Sequence, residues 1–251
     1  MRVSWDVTAE DVAKIRAFLA SREDDPLVRR RVARNLAPSK PEMARNTVWY
    51  RIIACLLSTQ QRSGPTSATT RFLRQRPFPL GYDVVVAAPN ARGLVRDVLA
   101  GFGGIRRLNR VADEVDDNLS ILEGGLWSHL LATMDGLRSG PTTPQRERVA
   151  AEWIDRHLAG FGPKQSRNLL QSLGLTRYEV PIDSRTVGWL ERVGFPVPLS
   201  AKALADAGYY AFVSEGIQRL CAACEVYPCV LDAAIFTDAD GGNWTEADLV
   251  W

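Results

Sequence analysis

The sequence has few cysteines and histidines and no long apolar segment. Its 251 residues include 4 Cys and 2 His, too few and too scattered for a disulfide framework or a histidine-rich metal site. No run of about 18 apolar residues occurs, so we expect no membrane-spanning helix. The first residues lack a charged region followed by an uninterrupted apolar one, which argues against a secretory signal. We therefore expect reduced thiols and a cytoplasmic location.

Strand-like alternation is also scarce, and helical periodicity dominates the chain. Residues 83–87 are the only candidate strand, and they also fit one helical turn. The first helix is predicted to begin after Thr8, which starts a capping motif ahead of regularly spaced apolar residues. Further helices are predicted over 42–57, 64–75, 91–100, 104–115, 144–158, 164–173, 183–193 and 208–223, and a last apolar run covers 226–236.

The composition and the short connections predict one folded unit. Hydrophobic residues make up 46 % of the chain and charged residues 24 %, as in ordinary globular proteins with a substantial core. The breaks rich in Pro and Gly are too short to be domain linkers. We expect an all-α protein, a single unit over residues 1–251 with two helical lobes that close around a cleft. The lobes are predicted at approximately 42–140 and 144–251.

Basic residues are concentrated in one part of a nearly neutral chain. The net charge is +2, but residues 27–76 contain eleven Lys or Arg and a single acid, Glu42. Residues 232–251, by contrast, contain five acids and no base. A basic segment of this kind is typical of a surface that binds a polyanion, and a solvated helix flank is the alternative.

Residues 157–164 predict a tight turn between two helices. Gly160 and Gly162 precede Pro163, a residue that favours the first position of a helix. Free backbone N–H groups at the start of the second helix would attract an anion such as a DNA phosphate. The alternative is a glycine-rich turn without a ligand. Lys164 follows directly, and only four of the 31 basic residues in the chain are Lys.

Three sequence features together resemble the helix-hairpin-helix superfamily of DNA glycosylases. Residues 158–164 are similar to the superfamily pattern L-P-G-V-G-x-K, and Ile182 and Asp183 lie at the expected distance beyond it. Residues 56–60, LLSTQ, resemble the L-L-S-x-Q segment with which these enzymes probe the duplex. The resemblance extends over residues 45–195.

Within the superfamily, the likeness is strongest to archaeal-type 8-oxoguanine DNA glycosylases. Residues 160–166 and 181–185 are similar to the segments G-I-G-x-K-E-A-S and I-L-D-R-H-I of these enzymes. Their C-terminal L-D-x-x-x-aromatic helix has a counterpart in residues 231–236, LDAAIF. The chain departs from them after Phe236, because it continues to Trp251 and lacks their terminal lysine.

The resemblance implies two catalytic residues, Lys164 and Asp183. Lys164 corresponds to a nucleophile whose neutral amine attacks C1′ of the nucleotide, forms a Schiff base and permits strand cleavage by β-elimination. Asp183 would stabilise the positive charge that develops on the deoxyribose as the N-glycosidic bond breaks. The alternatives are a phosphate contact for Lys164 and a helix N-cap for Asp183, a role that is compatible with catalysis.

The resemblance also implies residues that contact DNA and the extruded base. Gln60 would fill the space that the base leaves in the duplex, with a side chain at a helix end as the alternative. Further DNA contacts are expected at Ser58, Arg62, Gly160, Phe161, Gly162 and Arg185. Asp232 and Phe236 are candidates for the base pocket, and core packing is the alternative for Phe236. Trp153 and Trp189 are expected in the core.

We expect that no cofactor is required. Some enzymes of the superfamily carry a four-cysteine iron–sulfur loop, whereas Cys221, Cys224 and Cys229 lack a fourth neighbouring cysteine. These thiols are expected to be reduced and mostly buried, with no iron–sulfur cluster and no other metal site. Carbonyl groups of the hairpin near Gly160 and Gly162 could hold a monovalent cation.

The function that the resemblance implies is that of a bifunctional DNA glycosylase/AP lyase. Such an enzyme would act on double-stranded DNA as a monomer at the nucleoid, without a membrane partner, and 8-oxoguanine is the favoured base. One alternative is a monofunctional glycosylase for another damaged or hypermodified base, including a base of foreign DNA. The other is a non-catalytic helix-hairpin-helix module that only grips the DNA backbone.

Overall fold

A computed structural model describes residues 5–241, 244–246 and 249–250. Within these ranges the regular secondary structure is helical throughout and no strand is present, which confirms the all-α prediction. Asp248 and Trp251, which belong to the acidic C-terminal segment, lie outside the described residues.

The helices follow the predicted order, with two additions. They are α1 (Ala9–Ala20), α2 (Pro26–Asn35), α3 (Arg45–Leu57), α4 (Ala68–Leu73), α5 (Tyr82–Val86), α6 (Ala91–Phe102), α7 (Leu108–Ile121), α8 (Trp127–Ser139), α9 (Pro144–His157), α10 (Pro163–Ser172), α11 (Ser184–Arg192), α12 (Ala207–Ala223) and α13 (Pro228–Ala239). A π-helical turn, Leu122–Leu126, joins α7 to α8, and a 3-10 turn, Ala203–Ala205, precedes α12. The additions are α2 and α8, and residues 83–87 form the short helix α5 rather than a strand.

Side-chain caps fix the starts of several helices, and the sequence indicated those at Thr8 and Asp183. Thr8 and Asp11 form a reciprocal capping box at α1. Thr143 caps α9 ahead of Pro144, and Asp183 caps α11. The starts of α1, α9 and α11 are therefore determined locally.

The buried hydrophobic side chains form two large clusters. The first cluster is built from α3–α10 and includes the fully buried Trp49, Phe72 and Leu99. The second cluster is built from α1 and α11–α13 and includes Ile15, Trp189 and Tyr210. We call these groups of helices the first lobe and the second lobe.

The helix α2 joins the second lobe by packing against α13. Leu27 and Val28 of α2 form a small third cluster with Ala233, Ala234 and Trp244. The predicted division placed residues 144–251 in one lobe, whereas the hydrophobic side chains of α9 and α10 pack in the first cluster. Packing clusters alone do not define folding units, so the predicted domain limits stay a prediction.

None of the described helices is long and apolar enough to cross a bilayer by itself. Only α12 and α13 taken together reach the length and composition of a membrane span, and these two helices are bent by 97° relative to each other.

Candidate active site

A cleft of about 1610 Å³ lies between the two lobes. The first lobe contributes residues 58–68 and the hairpin 160–168, and the second lobe contributes the start of α11 and one face of α13. The predicted residues that line this cleft are Ser58, Gln60, Arg62, Gly160, Gly162, Lys164, Asp183, Arg185, Asp232 and Phe236. Phe161 is not among them, because its side chain is buried in the first cluster.

The two hairpin glycines have different roles. Gly160 has φ +77°, and a Cβ there would lie 2.6 Å from Cδ of Glu114 and 2.8 Å from Cδ2 of Leu56. A side chain is thus excluded at Gly160 by backbone conformation and by its neighbours. Gly162 is the N-cap of α10 with φ −125°, and a Cβ there would meet nothing within 4 Å. Of the two, only Gly162 faces open space in the cleft.

The hairpin is clamped from behind by an asparagine. Asn118 on α7 donates to the carbonyl of Ala159 at 2.8 Å and accepts from the N–H of Ala159 at 2.9 Å. This pair of hydrogen bonds satisfies the backbone at the turn and fixes where α10 begins.

Lys164 is the second residue of α10 and is partly buried at the cleft wall. Within the described residues, the one hydrogen bond of its Nζ is a long contact of 3.5 Å to Oε1 of Gln165. No carboxylate of the described residues forms an ion pair with it. The thiol of Cys55 is near, and burial raises the pKa of Cys55 to about 12. The amine is therefore held at the cleft without a fixed partner.

Asp183 caps α11 with one oxygen and binds an arginine with the other. Its Oδ1 accepts from the N–H groups of Arg185 at 2.9 Å and Thr186 at 3.1 Å. Its Oδ2 accepts from Nη1 of Arg185 at 3.1 Å. The N-cap role predicted as an alternative is present, and the catalytic role stays a prediction.

Arg185 connects four groups at one side of the cleft. Besides Asp183, it contacts Oγ of Ser63 at 3.2 Å and Oδ1 of Asp240 at 3.7 Å. Its guanidinium also stacks on the ring of Phe236 at 4.2 Å from the centroid. Phe236 is thus partly buried and covered by a cation, with Trp244 on another side at 5.6 Å.

Asp232 is buried at the base of the cleft and is paired. Its Oδ2 accepts from Nη1 of Arg31 at 3.0 Å and from Nε2 of Gln171 at 2.7 Å. Burial raises the pKa of Asp232, and the guanidinium of Arg31 opposes that rise. The amide oxygen of Gln171 is buried without a hydrogen-bond partner among the described residues.

Residues 58–62 form the rim of the cleft on the first lobe. Gln60 is exposed in the left-handed region, with φ +55°. Gln61 holds the rim in place, since it donates to the carbonyl of Gly104 at 3.1 Å and accepts from the N–H of Arg106 at 2.7 Å. Arg62 is exposed at the rim. The side chain of Gln60 is therefore free to project from a supported turn.

The basic residues of 27–76 divide between the interior and the surface. Arg31 binds Asp232, Arg34 donates to the carbonyl of Gln171 at 3.2 Å, and Arg51 donates to the carbonyl of Val250. These three guanidinium groups support the fold, so they do not contribute to an outer basic surface.

The three C-terminal cysteines are free thiols. Cys221, Cys224 and Cys229 are buried, and burial raises the pKa of Cys229 to about 12. No group of three or more His, Cys, Asp or Glu in the described ranges is arranged to hold a metal ion. Two statements stay predictions: no cofactor is required, and the hairpin carbonyls hold a monovalent cation.

The two tryptophans expected in the core differ in burial. Trp189 is buried in the second cluster, and Trp153 is half-buried and stacked on His157.

Several supporting residues were not identified from the sequence. Arg31, Gln165, Gln171 and Asp240 act through partners that are far away in the chain, and no local pattern reveals such pairs. Asp240 could have drawn attention only as the acid that follows Phe236 by four residues.

Comparisons with known proteins identify the fold. No family model and no curated protein matches the sequence. The crystal structure of the 8-oxoguanine DNA glycosylase of Thermotoga maritima matches with 15 % identity and a TM-score of 0.65, over 92 % of this chain and 98 % of that chain. That of Methanocaldococcus jannaschii matches with 16 % identity and a TM-score of 0.62, over 92 % of this chain and 94 % of that chain. This chain therefore has the fold of 8-oxoguanine DNA glycosylases, as the sequence resemblance predicted.

Proposed function

We propose that this chain is a DNA glycosylase that removes a damaged or modified base and then cleaves the strand through a lysine Schiff base. The observation that carries the proposal is that Lys164 and Asp183 line the same cleft. The fold is shared with two solved 8-oxoguanine DNA glycosylases, which makes 8-oxoguanine the first base to test.

The cleft suits an extruded nucleotide. Its volume of about 1610 Å³ exceeds the roughly 300–1,000 Å³ typical of small-molecule sites. Extrusion of a base costs a few kcal/mol of stacking and pairing, and Gln60 on the rim is suited to fill the space that is left in the duplex. The N–H groups at the start of α10 and the guanidinium of Arg62 are suited to contact phosphates.

The chemistry assigns one step to each side chain. The neutral amine of Lys164 attacks C1′, so that a C–N bond forms as the N-glycosidic bond breaks and the base leaves with the bonding electrons and takes up a proton. The carboxylate of Asp183 stabilises the positive charge on the sugar during this step. The nitrogen now bonded to C1′ loses a proton, and its lone pair opens the sugar ring: the C1′–O4′ bond breaks, O4′ takes up a proton and the Schiff base forms. The Schiff base then loses a proton from C2′, and the C3′–O bond breaks with departure of the 3′ phosphate, which cleaves the strand.

A panel of duplexes tests the proposal, each duplex with one lesion at a defined position. We expect excision of at least one lesion, 8-oxoguanine first, with a nick that appears at the same rate. Excision without nicking would instead favour the monofunctional alternative. Salt-dependent binding without excision of any lesion would favour the non-catalytic module, and the proposal would then be wrong.

A further inference from the structure

Arg185 lies between two carboxylates at the side of the cleft that holds Phe236. Its Nη1 donates to Oδ2 of Asp183 at 3.1 Å, and its Nη2 lies 3.7 Å from Oδ1 of Asp240. The same guanidinium stacks on the ring of Phe236 at 4.2 Å. One cation thus engages the candidate catalytic carboxylate and covers the aromatic ring of the candidate base pocket.

This arrangement has to change before the proposed reaction can occur. Oδ1 of Asp183 is taken by the N–H groups of Arg185 and Thr186, so Oδ2 is the oxygen that remains for the sugar cation. Oδ2 is the atom that Arg185 binds. On the ring face of Phe236 that Arg185 covers, a base can stack only after the guanidinium has moved. Entry of a base onto that face, with Oδ2 of Asp183 turned to the sugar, therefore requires the guanidinium to move away from both groups.

Asp240 is positioned to receive the guanidinium. It is the C-cap of α13, one turn beyond Phe236, and its side chain is 18 % exposed at the cleft. Its Oδ2 is buried without a hydrogen-bond partner among the described residues. Burial raises the pKa of Asp240, and the guanidinium of Arg185 and the nearby indole of Trp244 oppose that rise. An ionised Asp240 can therefore accept both N–H groups of a guanidinium fork.

We propose that Asp240 is a positioning residue that takes the guanidinium of Arg185 over from Asp183 when an extruded base enters the cleft. The transfer frees Oδ2 of Asp183 for the sugar and the ring of Phe236 for the base. The inference rests on the proposed glycosylase function. Asp240 lies beyond residues 231–236, where the sequence resemblance ends, so the resemblance gives it no role.

The test compares two substrates for each variant. In Asp240→Ala, the guanidinium keeps Asp183 as its only carboxylate, so kcat for excision of 8-oxoguanine should fall about tenfold or more, with little change in KM. A preformed abasic site has no base to stack and no glycosidic bond to break. Cleavage of that substrate by Asp240→Ala should therefore stay within about twofold of wild type. Asp240→Glu, which keeps a carboxylate, should recover part of the excision rate.

A matched control and a double-mutant cycle separate positioning from a structural effect. Asp238 sits two residues earlier and pairs with Arg22 and Arg192, outside the cleft lining, so Asp238→Ala should leave both activities unchanged. In an Arg185→Ala background, Asp240→Ala should have no further effect on excision, because the cation that it receives is gone. Additive losses, or equal losses on both substrates, would overturn the inference.

Binding distinguishes failure of this inference from failure of the proposed function. If the wild-type protein excises no base, the proposed function is wrong, and affinities for duplexes with and without 8-oxoguanine then decide the inference. The ratio of the affinity for the 8-oxoguanine duplex to that for the undamaged duplex should rise in Arg185→Ala, because that variant uncovers Phe236. The same ratio should fall in Asp240→Ala. Unchanged ratios in both variants would overturn it. If the wild type excises 8-oxoguanine and Asp240→Ala does so at the same rate, only this inference is wrong.

Discussion

Gln165 donates from Nε2 to Oγ1 of Thr59 at 2.6 Å and to the carbonyl of Cys55 at 2.9 Å. These bonds tie the helix that carries Lys164 to the turn that carries Gln60, although the two segments are more than a hundred positions apart in the chain. In the proposed function, Lys164 and Gln60 act at the same nucleotide, so their separation has to be fixed. Gln165 supplies that connection.

Replacement of Gln165 should therefore reduce both stability and excision. Gln165→Leu removes the hydrogen bonds to Thr59 and to the carbonyl of Cys55, which keeps its bonds from Ser58. Each lost hydrogen bond contributes about 0.5–1.5 kcal/mol, so we expect a loss of about 1–3 kcal/mol in the free energy of unfolding. Excision should fall further than this loss explains at temperatures where the variant is folded. Urea denaturation and single-turnover excision measure the two effects. Gln145→Leu, at an exposed position on α9, is the control and should change neither. A stable Gln165→Leu with wild-type excision would contradict the connection.

The hairpin glycines should respond differently to the same substitution. Gly160→Ala places a methyl group against Glu114 and Leu56 at φ +77°, so unfolding should become easier by about 1–3 kcal/mol or more. Gly162→Ala meets open space at a helix N-cap and should alter the unfolding free energy by less than about 1 kcal/mol. It should weaken DNA binding instead, because the methyl group faces the cleft. Equal destabilisation by both substitutions, measured by urea denaturation, would be inconsistent with these roles.

Arg62 should contribute to DNA binding without regard to damage. It is exposed at the rim of the cleft, where a phosphate contact is expected. Arg62→Ala should weaken binding to damaged and undamaged duplexes alike and reduce the slope of log K against log salt by about 1. Arg71 is exposed in the same basic segment but does not line the cleft, so Arg71→Ala is the control. Fluorescence anisotropy over a salt series gives the slope of log K against log salt for each variant. Identical slopes for the two variants would show that Arg62 does not contact DNA.

The sequence predicted those parts of the fold that depend on local signals. The cap at Asp183 and the first helix after Thr8 are each set by a few adjacent residues, and each is present. The hairpin at Gly160 is also present; its glycines and Pro163 signal the turn, and Asn118 of α7 holds it in place. The resemblance brought Lys164 and Asp183 to one site, and both line the cleft.

Features that depend on distant partners could not be predicted. The helix α2 was not predicted, because its sequence is rich in arginine and gives no reason to bury Arg31. The reason is the ion pair of Arg31 with Asp232, which lies 201 positions away in the chain. The same holds for Arg185, whose stacking on Phe236 joins α11 to α13. Charge counts along the chain treat all arginines alike, whereas burial separates Arg31 from Arg62.

Asp183→Asn should separate the two chemical steps. The amide oxygen can still accept the N–H groups of Arg185 and Thr186, so the N-cap and the fold should be kept. Loss of the negative charge removes the stabilisation of the sugar cation, and excision should fall by about 10²-fold or more. Cleavage of a preformed abasic site should be affected less, since no glycosidic bond remains to be broken. Gel assays with both substrates measure this difference. Equal losses on the two substrates would show that Asp183 does not act on the glycosidic bond.

Covalent trapping with borohydride tests the central claim, that Lys164 forms a Schiff base with the sugar. Wild-type protein mixed with an 8-oxoguanine duplex or an abasic duplex and borohydride should give a covalent protein–DNA adduct, and peptide mapping should locate it at Lys164. Lys164→Gln should give no adduct and no nick on either duplex, while its affinity for DNA stays close to that of wild type. Trapping that persists in Lys164→Gln, or wild-type base excision by that variant, would contradict the account.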